Sequence, residues 1–160
     1  RNILAQDLLE RILKKDPGFF EALVIKLLVA MGYGGSLNEA AGMVVGKSGD
    51  EGIDGIIKED KLGLDNIYIQ AKRWNNVVER PEVQKFVGAL AGKGATKGIF
   101  ITTSSFSRGA REFKPQNNIK IVLIDGNQLC EYMIDYNIGV FTAITFEVKQ
   151  IDIDFFESEE

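Results

Sequence analysis

At 160 residues and 45% hydrophobic content the chain can close one core, while no apolar run approaches the ~20 residues of a membrane-spanning helix and no basic segment leads into a signal-peptide-like stretch. The absence of histidine excludes Ser-His-Asp and Cys-His catalysis and every histidine-bound metal, and a single cysteine excludes disulfides and cysteine-zinc sites. The net charge of -4 is uneven, with five basic and five acidic groups in residues 1–45, thirteen and nine in 46–120, and one and nine in 121–160, so a basic surface can lie beside an acidic tail. One soluble, cytoplasmic domain is expected, in which carboxylates, amides and lysines carry any chemistry. A hard, oxygen-preferring cation is then the natural cofactor.

Arg1 is not methionine, and Ile3, Leu4, Leu8, Leu9, Ile12 and Leu13 follow in helical spacing. A leading helix within 1–15 is expected, in a chain whose amino-terminal piece lies elsewhere. Asp16-Pro17 reads as an N-cap followed by proline at the first helical position. It opens a helix that buries Phe20, Leu23, Val24, Leu27, Leu28 and Met31, stops at Gly32, and carries Glu21 beside its apolar stripe. The glycine-rich stretch that follows, with the apolar run 43–45, reads as irregular chain.

Two β-like runs, 53–57 and 66–74, flank a polar, glycine-containing connection and predict a hairpin. Helix and strand then alternate: helix over 81–91, buried strand over 98–103, short helix over 107–114, second buried strand over 119–124, closing helix over 127–136. Cys130, between Leu129 and Met133 in that last helix, reads as a buried structural thiol. The tail alternates over 146–153 and ends in acid. These elements describe an α/β domain with a mixed sheet, an antiparallel hairpin on one side and parallel strands on the other.

Within the run 66–74, Ile67, Ile69 and Ala71 share one face while Tyr68, Gln70, Lys72 and Trp74 share the other. A hairpin centred near Lys61 to Gly63 pairs residues whose numbers add to about 124 to 126, which sets Asp54 opposite Gln70 or Lys72. A carboxylate, an amide and an ammonium then collect in one patch. Read alone, Asp54-Gly55 is only a turn signal, and Gln70 and Lys72 are solvated edge residues. Two features weigh on the other side. Gly52 and Gly55 flank Asp54 and let a phosphate or metal approach the backbone, and Lys72 follows an apolar run where a charge needs a partner or a task.

The segments FFEALVIKLLVAMGYGG, GKSGDEGIDGII, IYIQAKRW, RPEVQKFVGALAG, GIFITTSSFSRGAREF and KIVLIDGNQL, in this order and spacing, resemble the Mrr family of the PD-(D/E)xK nuclease group. The resemblance runs from about Asp16 to Val140. It implies a restriction-endonuclease-like three-layer sandwich with a mixed central sheet flanked by helices, in a type IV-like enzyme that attacks modified, usually methylated, double-stranded DNA. By the same resemblance 16–140 is the catalytic core, 1–15 a leading helix and 141–160 an acidic extension, within one nuclease domain spanning 1–160. A winged-helix recognition domain is expected ahead of residue 1.

Carried over residue by residue, Asp54 is similar to the family's metal-binding aspartate, Gln70 to the residue that replaces its second acid, Lys72 to its lysine and Glu21 to its helical glutamate. The resemblance implies Mg²⁺, with Mn²⁺ as a substitute, held by Asp54, the Ala71 carbonyl and Gln70, with Glu21 holding a water of the ion. Glu21 reads equally as a solvated helical residue. Glu51 is a departure, since the family pattern has glycine there; an extra carboxylate can bind the ion, repel the phosphate or mark an altered enzyme. Thr102, Thr103, Ser104 and Ser105 end a strand where a phosphate can be received, although Ser105 or Ser107 also reads as a plain N-cap. Arg73, Arg80, Lys85, Arg108 and Arg111 are candidate phosphate contacts, and Gln84, one turn from Arg80, a candidate for the active face. Each reads individually as a solvated side chain. Trp74 reads as a base-stacking platform or as core. Cutting both strands needs two sites, hence a homodimer or larger assembly. The competing functions are a branched-DNA or repair nuclease of the same group, and a catalytically silent DNA-binding or assembly module.

Overall fold

The computed structural model describes residues 1–35, 43–44 and 52–157, with side chains at all of these but 43–44. Helix α1 (Asn2–Leu13) buries Leu8 and Ile12. Helix α2 (Pro17–Ala30) opens as the sequence predicts: Asp16 Oδ1 accepts the Phe19 N–H at 2.7 Å, and Pro17 needs no donor at a position where the helix offers no partner. It ends one residue before Met31, and Gly32 takes the chain out at φ 106°.

Strands β2 (Gly55–Lys58) and β3 (Asn66–Lys72) form the expected antiparallel hairpin, paired Gly55 to Ile69 and Lys58 to Asn66. Asp60 closes the turn by accepting N–H groups of Leu62 and Gly63. Helix α3 (Arg80–Gly92) leads to β4 (Lys97–Thr102), helix α4 (Arg108–Glu112) to β5 (Lys120–Ile124), and both strands run parallel to β3. Helix α5 (Gly126–Asp135) follows, its Asp125 and Gln128 forming a reciprocal capping box. With β1 (Met43–Val44) antiparallel to β2, the sheet reads β1-β2-β3-β4-β5.

Each face of this mixed sheet carries its own core, which gives the expected three layers. On one face α1, α2 and α5 pack Leu8, Phe20, Leu27, Leu129 and Met133 against Ile57, Ile69, Ala71 and Ile101. On the other, α3 and α4 cover Phe100, with Phe86 and Phe106 in edge-on contact with its ring. Arg1 ties α1 to α5 through Glu131 and Asp135. Among the described residues no helix is long and apolar enough to cross a membrane.

Three expectations are corrected. The run 43–45, read as irregular, contributes β1. The strand over 119–124 is not fully buried: β5 is the last strand of the sheet, so only Ile124 of its five residues is buried and Val122 is 54% exposed. The alternating tail forms no strand; it runs without regular structure to a short helix α6 (Ile153–Glu157), exposed throughout.

Candidate active site

The hairpin register sets the geometry. Gly55 opposes Ile69, so Asp54, one residue before β2, lies across from Gln70, and its N–H donates to the Ile69 carbonyl at 2.8 Å. One carboxylate oxygen of Asp54 accepts two hydrogen bonds, from Gln70 Nε2 at 2.9 Å and from the Ala71 N–H at 2.7 Å. Strand alternation gives Ala71 a C=O on the same side as its N–H, toward the start of β2, whereas the Lys72 carbonyl faces β4 and accepts the Thr103 N–H at 3.2 Å. The Asp54 carboxylate and the Ala71 carbonyl therefore face one region.

Gln70 is 3% exposed on the α3 side of the sheet, a buried amide whose hydrogen bond to Asp54 offsets its desolvation. Its Oε1 lies beside Gly52, where a Cβ would come within 2.9 Å of it; Gly52 adopts φ 90°. Gly52 thus leaves the Gln70 oxygen uncrowded, whereas Gly55 is a buried ladder residue of β2. Lys72 is half-buried on the face of Gln70, its Nζ 5.3 Å from the centre of the Trp74 ring. Trp74 itself packs against the core under α3.

Burial pushes the Asp54 carboxyl above its ordinary value, outweighing the Ala71 N–H, the Lys72 charge and the Gln70 amide, all of which pull it down. The carboxylate is thus held in place yet short of positive charge. A divalent cation fits that deficit, and the donors available to it, a carboxylate, a carbonyl and an amide oxygen, are all hard oxygens. Among the described residues no group of three or more His, Cys, Asp or Glu side chains gathers that could hold an ion without other donors.

The other candidates are placed as follows. Glu21 is half-buried on α2, which covers the opposite face of the sheet from Gln70 and Lys72. Glu51 lies outside the described residues. Arg73 also turns away from Lys72: its Nη1 donates to the Leu13 carbonyl at the end of α1 at 3.0 Å, and its buried Nε has no partner among the described residues. Arg80, Gln84 and Lys85 are exposed on α3, and Ser105 and Arg108 are exposed beside α4, the two helices on the side of Lys72. Arg80 stacks its guanidinium on Phe113, Lys85 pairs with Glu82, Arg108 with Glu112, and Arg111 with Asp125. Ser107, not Ser105, caps α4, accepting the Ala110 N–H at 3.2 Å.

Thr102 and Thr103, read from the sequence as part of a stretch that can receive a phosphate, have their hydroxyls committed inside the protein instead. Both are buried, and their Oγ1 atoms donate to the Lys72 and Trp74 carbonyls at 2.8 Å, locking the end of β3 from β4. The signal was present: two hydroxyls closing a buried apolar strand must find partners inside the protein.

Comparison with known proteins bears on the family and the fold. The family model of the Mrr catalytic domain, described as a restriction endonuclease, matches residues 12–133. The type IV methyl-directed restriction enzyme EcoKMrr of Escherichia coli strain K12 is 46% identical over 157 residues, which is 98% of this chain and 50% of that enzyme. The chain thus spans about half the length of this curated relative. Among solved structures, the DNA modification-dependent restriction endonuclease AspBHI superposes with a TM-score of 0.63 at 21% identity, over 85% of this chain and 36% of its own, a likeness of fold. The restriction endonuclease MspJI, solved in complex with a 27-mer oligonucleotide, gives a TM-score of 0.60 at 26% identity over 84% of this chain and 32% of its own.

Proposed function

Because the chain belongs to the Mrr catalytic-domain family of restriction endonucleases, we propose that it is the cutting domain of an enzyme that hydrolyses phosphodiester bonds in methylated DNA with the help of Mg²⁺, for which Mn²⁺ can substitute. The observation that carries this reading is the Asp54 carboxylate, fastened by Gln70 and the Ala71 N–H at the mouth of the hairpin with Lys72 on the same face. Asp54, the Ala71 carbonyl and Gln70 Oε1 would hold the ion. When bound, it draws charge off the phosphate and lowers the pKa of a water.

This chain's own groups do the rest. In the reaction a water oxygen forms a new bond to phosphorus while one P–O bond to a sugar breaks; of the two protons of the water, one is balanced by a proton that the departing sugar oxygen takes from solvent and the other is released. Lys72 donates hydrogen bonds to the incoming water and to the phosphate oxygens on which negative charge builds. Trp74 restricts the Lys72 ammonium, and Thr102 and Thr103 keep its backbone from drifting, so the donor is aimed before substrate arrives. Glu21 lies on α2, which covers the other face of the sheet, so the proposed chemistry does not depend on it. Arg80, Gln84, Lys85, Ser105 and Arg108, spread over α3 and the approach to α4, line the path of double-stranded DNA through phosphate contacts that position it without reading sequence. Arg73 contributes through α1, whose terminal carbonyl it holds.

A winged-helix domain ahead of residue 1 is assigned the reading of the modified base, in keeping with the twofold length of the relative. The test is cleavage of plasmid DNA by the wild-type chain, Asp54→Ala and Lys72→Ala, with and without Mg²⁺ or Mn²⁺. Cutting that needs the ion and falls at least ~10²-fold in each variant is expected, the scale of losing one transition-state donor. Wild-type rates in Lys72→Ala would remove the mechanism.

A further inference from the structure

Two features that the cutting site does not use complement each other. The first is the free edge of the sheet. In β5 the Lys120 N–H bonds to Thr96 O of the β4 side, so alternation turns the backbone groups of Ile121 and Leu123 outward, toward no neighbouring strand among the described residues. Beside that edge runs a shallow groove of about 520 Å³, apolar along Phe113, Ile121 and Leu123 and basic at Lys114 and Lys120. Such an edge is a template for another strand.

The second is the tail. Residues 141–157 are exposed at every position, although they carry the densest β-type pattern outside the sheet. Ile144, Phe146 and Val148 are 71%, 88% and 89% exposed and alternate with Thr145 and Glu147; the acids Asp152, Asp154 and Glu157 follow. Leaving that many large apolar groups in water is costly, and alternation with β-branched and aromatic residues suits a strand with one covered face.

We propose that the segment 144–148 of one copy of the chain adds as a sixth strand to the β5 edge of a second copy. Ile144, Phe146 and Val148 then cover the rim formed by Ile121, Leu123 and Phe113, and Thr145 and Glu147 fall on the face of Lys120. The backbone groups of Ile121 and Leu123 gain the partners they lack in the sheet. Charge selects the occupant: the groove carries Lys114 and Lys120, and the tail brings one basic and four acidic side chains between 141 and 157. Five residues of β5 match the five of 144–148, so the added ladder is of ordinary strand length.

Sedimentation velocity over a micromolar concentration series, on the wild-type chain and on Phe146→Asp/Val148→Asp, tests this. The wild type should self-associate, and the tail variant should be monomeric while still folded by circular dichroism and cooperative unfolding, since both residues are exposed. Lys120→Glu, at the edge rather than in the tail, should weaken association as well. As a direct readout, Phe146→Cys mixed with Leu123→Cys should give a disulfide between chains under mild oxidation. A monomeric wild type, association that survives in the tail variant, or no disulfide between the two mixed cysteine variants would each overturn the proposal. None of these outcomes depends on whether the domain cuts DNA.

Discussion

Gly52→Ala, measured beside Gly63→Ala, separates the chemistry of the site from the cost of the backbone. Both glycines have positive φ, 90° and 66°, so an alanine at either pays roughly 1–2 kcal/mol for a left-handed conformation. The neighbours of the added methyl differ. At Gly63 it meets the Lys58 side chain at 2.9 Å, a flexible stem that can swing away in the turn far from Asp54. At Gly52 it meets Gln70 Oε1 at 2.9 Å, and Gln70 is buried with its Nε2 committed to Asp54, so the amide can move only by loosening that bond. Both variants should therefore lose similar stability in urea unfolding. Only Gly52→Ala should lose metal-dependent cleavage, by about 10–100-fold, the usual cost of disturbing a group that orients a metal ligand. A titration of divalent ion should show the deficit shrinking at high concentration. Equal cleavage by the two variants would show that the space beside Gln70 Oε1 has no part in catalysis.

Three further outcomes follow from the packing and the charges. Gly98→Ala places a methyl within 2.7–2.8 Å of Phe86 and Leu90 beneath α3; overpacking of this kind should cost ~1–3 kcal/mol in chemical denaturation, and an unchanged midpoint would contradict the packing described. Lys97 bridges Glu59 and Asp65 across the hairpin and holds the Asp65 carboxyl below its ordinary range. A lowered folded-state pKa stabilises above the ordinary carboxylate range and is lost as pH falls through the folded value, so the stability gap between wild type and Lys97→Met should close in acid. A gap independent of pH would refute the assignment. Burial pushes the Cys130 thiol up to about 11 from 9.0. That contribution is present below 9.0 and lost as pH rises through about 11, and alkylation at neutral pH should occur only at the rate of unfolding. Fast labelling of the folded chain would count against the packing of α5.

Much of the site was legible because a hairpin is local. Its turn residues and period-two pattern constrain the register, and a register summing near 124 already brings Asp54 to Gln70. The same local logic reads the Asp16 cap and the two faces of β3, since neighbouring residues supply the partners. Arg73 was not legible in this way. It sits next to Lys72 in sequence, but alternation sends it to the other face, where the end of α1, sixty residues away in the chain, takes its guanidinium.

What the amino-acid order determines unaided is therefore short in range: which segments are helix or strand, which side of β3 is polar, and which carboxylate meets the amide. Tertiary structure alone decided that β5 is an edge, that the tail's alternation finds no strand partner among the described residues, and that Thr102 and Thr103 commit their hydroxyls to β3. The physical reason is that burial and strand pairing depend on what else competes for a surface. A hydrophobic pattern states which side chains seek cover, and only the assembled sheet states whether cover is there.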